Sequence, residues 1–339
     1  MRRFPYMISF CIPVYNISFN LLKACFQSII EQNCEEYEII CCEDCSTDES
    51  YSNLMKLAEE YPLKILRNEK NLGVSATRNK CIISAKGDYL WFVDPDDVLV
   101  ENAAESIISN ITDGADVVLG DYIRVAYDFR PDNIVSKEIP IGRRIETIGS
   151  NWYPTDSQGK KMCGVWGGVF RKKFLLENNI FFREGMSFAE DRIFFYEVSQ
   201  FNPIVIKLNY PVYYYRQRPQ SYMHQRLDKR SITEYDSLKK ALAVYRSYEN
   251  SMRDRKPKET AERIRGHRIA CVRCLAMIPD ESFVRNELDY LKRQGDYPVQ
   301  SLLKIANILK HPKIGFDYLI QSESGFWRTR KFMKLIGII

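Results

Sequence analysis

Four consecutive residues, Asp94-Pro95-Asp96-Asp97, put three carboxylates into one short turn, and Pro95 stiffens the backbone that carries them. Like charges this close repel, so the turn is costly unless a cation neutralises it. Hard carboxylate oxygens suit Mg²⁺ or Mn²⁺, which keep several waters and accept one or two carboxylates together with substrate phosphates. The missing ligands would then come from a diphosphate. The plainer alternative is a polar turn capping the helix that begins near Glu101. Further along, Glu190-Asp191 follows an apolar stretch, Met186 to Ala189, whose walls would raise the proton affinity of Asp191 toward that of a working general base. Two acids opening a helix, favourably placed against its dipole, would look the same. Neither a GxxxxGK[ST] loop nor a GxGxxG loop is present, so phosphate charge falls to a metal and to arginines. That disfavours kinases, ATPases and Rossmann dehydrogenases.

The elements that must position these groups alternate. Tyr6 to Pro13, Tyr37 to Cys42, Leu63 to Arg67, Tyr89 to Asp94 and Val117 to Leu119 read as strands. Between them, Leu21 to Gln32, Thr47 to Glu60, Val74 to Ser84 and Glu101 to Asn110 recur at helical spacing. Such alternation predicts βαβ units, hence a mostly parallel sheet with helices on both faces. Ligands of an open α/β sheet bind outside the carboxyl ends of its strands. Polar clusters fall at three such ends: Val14-Tyr15-Asn16, Glu43 to Asp48, and Asp94 to Asp97. Ser46, Thr47 and Asp48 also read as ordinary helix caps. Beyond Asp121 the alternation decays into strand and loop material up to about Tyr153. Val165 to Asn179 then reads as a strand turning into a basic helix, Glu190 to Gln200 as a helix, and Ile204 to Leu208 and Val212 to Arg216 as short strands. From about Ser231 the pattern is helical and highly charged, over Tyr235 to Asn250, Glu259 to Met277 and Ser282 to Gln294. The expected organisation is one α/β domain over 1–225, with a nucleotide half to about 120 and an acceptor half from 121, then a helical C-terminal region over 226–339.

With 339 residues, 45% of them hydrophobic and 27% charged, the chain can bury a sizeable core and belongs among globular proteins. No run reaches the roughly 18 apolar residues of a spanning helix, and no leader is readable, which predicts a cytoplasmic protein. The ten cysteines are irregularly spread and several lie inside apolar runs, as reduced thiols do. Cys42/Cys45 and Cys271/Cys274 have C-x-x-C spacing, with His267 before the second pair, but the intervening chain is far too long for a zinc ribbon. The net charge is +5, and Phe326 to Ile339 alone holds Arg328, Arg330, Lys331 and Lys334 without an acid, so the rest is close to neutral. That is not the basic stripe of a nucleic-acid binder.

Five segments, in order, resemble the inverting glycosyltransferases of family 2, which have the GT-A fold: SFCIPVYN from Ser9 to Asn16, YEIICCEDCSTD from Tyr37 to Asp48, NLGVSATRN from Asn71 to Asn79, FVDPDD from Phe92 to Asp97, and AED from Ala189 to Asp191. The resemblance runs from about Met7 to Ser221. It implies that Pro13, Tyr15 and Asn16 shape a nucleoside pocket, that Asp44 accepts the uracil N3 proton, and that Arg78 braces the base or diphosphate. Asp94 and Asp96 resemble the family's D-x-D pair, the first near ribose and metal, the second a metal ligand, with Asp97 assisting. Asp191 resembles the general base, with Glu190 beside it on the acceptor side. Two positions depart from the usual pattern: Glu43-Asp44 stands for an Asp-Asp pair, and Thr77 for an Ala. CGVWGGVFR, from Cys163 to Arg171, resembles the acceptor-side strand, where glycines admit a substrate and Trp166 either faces a sugar or packs in the core. Tyr213 to Ser221 resembles the loop that closes over the diphosphate, with Arg216, Arg218 and Ser221 as contacts and His224 as an outside metal candidate. The processive QxxRW signature is absent, which favours single additions.

The resemblance thus implies a metal-dependent transfer of a hexosyl or N-acetylhexosaminyl group from a UDP-sugar to an acceptor hydroxyl, in polysaccharide or glycolipid synthesis. Two rivals stand beside it. A catalytically dead binding module would be expected to lose the base or the metal acids, and a sugar nucleotidyltransferase would want a glycine- and lysine-bearing loop near the first strand, which Val14 to Asn20 lacks. The tail from Phe326 mixes bulky apolar residues with its four cations, as helices lying on an anionic leaflet do, or as a helix docked on the protein's own core would.

Overall fold

The computed structural model describes residues 6–32, 34–111, 114–129, 144–148, 164–186 and 190–217, with scattered positions between 236 and 293. The chain divides into two compact units, Met1–His224 and Gln225–Ile339. In the second, the described residues are helical, at positions that include 239–244 and 282–283. The expected helix over Glu259 to Met277 lies outside the described residues.

The first unit alternates as its sequence dictates. Strand β1 (Ile8–Val14) leads to α1 (Phe19–Ile30), β2 (Tyr37–Glu43) to α2 (Ser50–Glu60), β3 (Leu63–Arg67) to α3 (Val74–Ser84), and β4 (Tyr89–Phe92), through the short β5 (Val98–Leu99), to α4 (Ala103–Ser109). Then come β6 (Val117–Ala126), β7 (Arg144–Ile148), a 3₁₀ turn over Val165–Gly167, β8 (Gly168–Arg171), α5 (Lys172–Glu177), α6 (Glu190–Gln200) and β9 (Ile204–Gln217). They form one nine-stranded sheet in the order β3-β2-β1-β4-β8-β6-β9-β5, with β7 also paired to β9. The β3-β2-β1-β4 half is parallel, and so is β6 with β9, whereas β8, β5 and β7 run antiparallel to their neighbours.

Strand side chains alternate between faces, and the core shows it. Ile8, Phe10, Ile12, Ile39, Cys41, Tyr89 and Trp91 bury against α1, α2 and α4 on one face. Cys11, Ile40, Cys42, Leu90 and Phe92 bury against α3, α5 and α6 on the other. Because both faces are covered, the central strands are mostly apolar and not alternately polar, with Ser9 and Glu43 as buried exceptions.

Three expectations are corrected here. Two short strands expected over Ile204 to Leu208 and Val212 to Arg216 are one strand of 14 residues, and Pro211 is accommodated where the pairing with β6 slips in register. Residues after Asp121, expected as strand and loop material separate from the short strand Val117 to Leu119, extend that strand to Ala126 as β6, so that β9 has a partner along most of its length. Gly168, expected to admit a substrate, instead admits a neighbouring strand: a Cβ there would lie 2.0 Å from the Val118 carbonyl oxygen of β6.

Candidate active site

The carboxyl ends of β1, β2 and β4 converge, and each loop that leaves them is held by polar contacts. After β1, Asn16 adopts φ 45°, its backbone N–H donates to Ser46 Oγ at 3.1 Å, and its Oδ1 accepts from the Thr47 N–H at 3.0 Å. The first two strand exits are thereby pinned together. Asp48, in turn, caps the start of α2 by accepting from the Ser50 N–H at 2.9 Å. Glu43, the departure from the usual Asp, is fully buried, and its longer arm reaches both the Ser46 N–H at 2.5 Å and Arg67 Nε at 2.9 Å. Arg67 lies over the Tyr51 ring, 3.8 Å from its centroid.

Asp44 is buried, and its carboxylate accepts from Asn68 Nδ2 and from the backbone N–H groups of Leu72 and Gly73, at 2.7, 2.9 and 2.8 Å. It anchors the loop before α3, where Gly73 at φ 86° takes a left-handed conformation that favours glycine. Expected as a uracil contact, Asp44 is found here as a loop anchor. Thr77, the second departure, returns its hydroxyl to the Gly73 carbonyl at 2.9 Å and tightens the first turn of α3. Pro13 is buried within β1. Tyr15 is 45% exposed, the one large aromatic among these strand-end residues that is open to a ligand.

The centre of the site is Arg78, on α3 and only 3% exposed. Its Nη1 donates to Asp191 Oδ1 at 2.8 Å and to Glu190 Oε1 at 3.2 Å, and its Nη2 donates to Asp94 Oδ1 at 2.9 Å. Residues far apart in sequence, from α3, the β4 exit and the start of α6, thus share one guanidinium. Arg78, expected to brace a base or diphosphate, braces carboxylates instead. Burial opposes its charge, but the three neighbouring acids outweigh that and hold it firmly protonated. Burial likewise pushes Asp191 well above the usual carboxylate range, the charge of Glu190 adds to this, and Arg78 works against it. Next along α3, Asn79 exchanges hydrogen bonds with the backbone of Phe182, at 2.8 and 2.9 Å, and so fixes the segment leading toward Asp191.

The acidic turn closes on itself through the Asp97 N–H to the Asp94 carbonyl at 3.1 Å and is gripped from behind by β9. The Asp94 N–H donates to the Tyr213 hydroxyl at 3.0 Å, the Arg216 N–H donates to Asp97 Oδ1 at 2.7 Å, and Arg216 Nη1 donates to the Asp96 carbonyl at 2.8 Å. Asp97 was expected among the metal ligands, but it is fully buried and its carboxylate faces β9, so it serves as an anchor. Burial and the neighbouring Asp96 and Asp94 push it well above the usual carboxylate range, although the Arg216 N–H donates to it. Arg216, expected on the donor, is buried and bonded to backbone carbonyls. Trp166, one of whose two readings was a sugar platform, is 4% exposed and lies nearly parallel to Tyr213 and Tyr215, with centroids at 4.6 and 5.4 Å. Its packing is that of the core. Arg218, Ser221 and His224 lie outside the described residues.

No group of three or more His, Cys, Asp or Glu side chains among the described residues is arranged to hold a cation. Among the described residues an all-protein cage therefore does not fit. The donor set does fit a cation that takes the Asp94 and Asp96 carboxylates and completes its shell with phosphate and water. The charge favours it too, since the single guanidinium of Arg78 faces three acids. Sequence reasoning missed Tyr213, Glu43 and Asn79 as site-building residues; the only signal for Tyr213 was its place in the Tyr run before Arg216.

Comparison with known proteins gives a family and a fold. The profile described as Glycosyl transferase family 2 matches residues 9–175. The poly(ribitol-phosphate) beta-glucosyltransferase of Bacillus spizizenii is 30% identical over 233 residues, which cover 64% of this chain and 33% of that protein. The chain spans about half or less of the length of such curated relatives. Among solved structures, S. aureus TarS in complex with UDP-GlcNAc superposes with a TM-score of 0.55 at 19% identity, covering 94% of this chain and 82% of that one. The mannosyltransferase PcManGT of Pyrobaculum calidifontis, in complex with GDP-Man and Mn²⁺, gives 0.54 at 16% identity, covering 93% and 85%. Through residues 9–175 the chain belongs to glycosyltransferase family 2, and its sheet has the GT-A fold.

Proposed function

We propose that this protein is an inverting, metal-dependent glycosyltransferase that moves a hexosyl or N-acetylhexosaminyl group from a UDP-sugar to a hydroxyl of a cell-surface polymer or lipid-linked glycan. The observation that carries the reading is the meeting of Asp94 and Asp191 on the guanidinium of Arg78. One cleft then offers an acid suited to a cation and an acid suited to a proton, as a direct displacement at an anomeric carbon needs. The UDP-GlcNAc complex of TarS, the Mn²⁺ complex of PcManGT and the poly(ribitol-phosphate) acceptor named for the Bacillus relative support the donor, the metal and the acceptor class.

In this mechanism Tyr15 and Asn16 border the nucleoside, and Asp94 and Asp96 are the residues that would hold Mn²⁺ or Mg²⁺. The bound cation supplies positive charge that stabilises the departing diphosphate. Asp191 takes the proton of the acceptor hydroxyl, the acceptor oxygen bonds to the anomeric carbon, and the bond to the diphosphate breaks with its electron pair leaving on UDP. The raised proton affinity of Asp191 makes it a stronger base than an exposed carboxylate. Arg78 keeps it oriented. The tail from Phe326 is read as a peripheral contact with an anionic inner leaflet, where a lipid-linked acceptor would sit.

A panel of UDP-sugars with Mn²⁺, scored for released UDP and for the anomeric configuration of the product, tests the whole. Release of pyrophosphate instead of UDP would mean nucleotidyl transfer, and a retained configuration would remove Asp191 from the role of base.

A further inference from the structure

The acidic turn begins two residues beyond the end of β4, where the ladder of strand hydrogen bonds stops. The backbone N–H of Asp94 therefore needs a partner from elsewhere, and the partner is a side chain of β9. The Tyr213 hydroxyl accepts that N–H at 3.0 Å, so a buried oxygen of β9 fixes the first residue of the four-residue turn. The ring cannot swing away. It is fully buried and stacked on Trp166, whose carbonyl is in turn held by the Trp91 indole N–H at 2.9 Å. Three crowded carboxylates repel one another, so without a clamp the turn would relax toward a wider shape.

We propose that Tyr213 is a positioning residue for the cation: by holding the Asp94 N–H with its hydroxyl, it sets the angle at which Asp94 and Asp96 present their carboxylates to a divalent ion. This rests on the metal-dependent reading given above and adds to it a residue that touches neither metal nor donor. Arg216 grips the same turn through the Asp96 carbonyl, but only Tyr213 holds its first N–H.

The test is Mn²⁺ binding to the full-length protein in the presence of UDP, followed by the electron paramagnetic resonance signal of free Mn²⁺. Tyr213→Phe keeps the ring and its stack and removes only the hydroxyl. Mn²⁺ should bind about tenfold more weakly, the order expected for one lost hydrogen bond that leaves the Asp94 N–H unsatisfied. The Mn²⁺ concentration for half-maximal UDP release should rise by a similar factor, while the rate at saturating Mn²⁺ changes little. A merely structural loss would lower that rate or the melting temperature without moving the Mn²⁺ requirement. Tyr214→Phe, on the opposite face of β9, should bind Mn²⁺ like the wild type. Should Tyr213→Phe fail to fold, Trp166→Phe, which loosens the ring and leaves the hydroxyl, should weaken Mn²⁺ binding by a smaller factor. Unchanged Mn²⁺ binding in the folded Tyr213→Phe protein, or in Trp166→Phe if the first does not fold, overturns the proposal and leaves the metal reading intact. Failure of the wild type to take up Mn²⁺ with UDP removes both.

Discussion

Arg78 shares its guanidinium among Asp94, Glu190 and Asp191, and the consequences differ for charge and for chemistry. Replacing it with Ala leaves the three acids facing one another. Breaking a buried pair of this kind costs on the order of 3 kcal/mol. Urea unfolding of Arg78→Ala should show such a loss near neutral pH and a smaller one at lower pH, because protonation removes the repulsion; an equal loss at both would exclude the electrostatic account. For Asp191 the sign is opposite in its effects on activity and on stability. Its pKa is raised in the folded protein, so its contribution to stability is present below the ordinary carboxylate range and is lost as pH rises through the raised value. Activity needs the deprotonated form and so climbs over that same interval. The acid limb of kcat/KM should lie above the usual carboxylate range, and Asp191→Asn should lower kcat about 100-fold or more while retaining UDP binding. A limb at the ordinary carboxylate value would separate Asp191 from the proton transfer. The acids themselves were legible in the sequence, because charge crowded at a strand end calls for a function. That Arg78 joins them was not, since positions 78, 94 and 191 meet only through the fold.

At the scale of elements, the first four strands and their helices follow directly from hydrophobic period and cap residues, and β3 and α3 have the bounds that the pattern predicts. The acceptor-side half was harder to read for a physical reason: its pairings are long-range. Strand β8 reads as a short apolar run, but that it runs antiparallel between β4 and β6 is decided by the close approach at Gly168. Gly168→Ala should destabilise the fold by about 1–3 kcal/mol through backbone displacement, measured by chemical unfolding. A neutral result would mean that the strand can shift at no cost. The same limit applies to Trp166, Arg216 and Asp97. Each was placed near the right element, yet all three turn inward, because β9 arrives as one long strand with its aromatic face on Trp166 and its N–H groups on the acidic turn.

Over the whole molecule, composition and charge limit the field to a globular protein with its excess positive charge at the C-terminal end. No helix among the described residues is long and apolar enough to cross a membrane. Residues 326–339, which lie outside the described residues, have the composition of an interfacial segment. Deleting them should abolish co-sedimentation with vesicles rich in phosphatidylglycerol and leave UDP release with a soluble acceptor near wild type. Unchanged sedimentation would place the contact elsewhere or nowhere. The second unit has a charged helical pattern but no strand ends or crowded acids to mark a site, so sequence says least where chemistry-bearing spacing is absent.

The internal cation at Arg78 also bears on how this cleft would meet inhibitors. Positively charged sugar mimics draw their affinity from carboxylates that lack a counter-charge, and here Asp191, the base in the proposed mechanism, is already engaged by a guanidinium that belongs to the protein. A cationic ring would have to displace a buried side chain before it gained that attraction. Uncharged compounds that copy the nucleotide portion and rest against Tyr15 avoid the competition altogether.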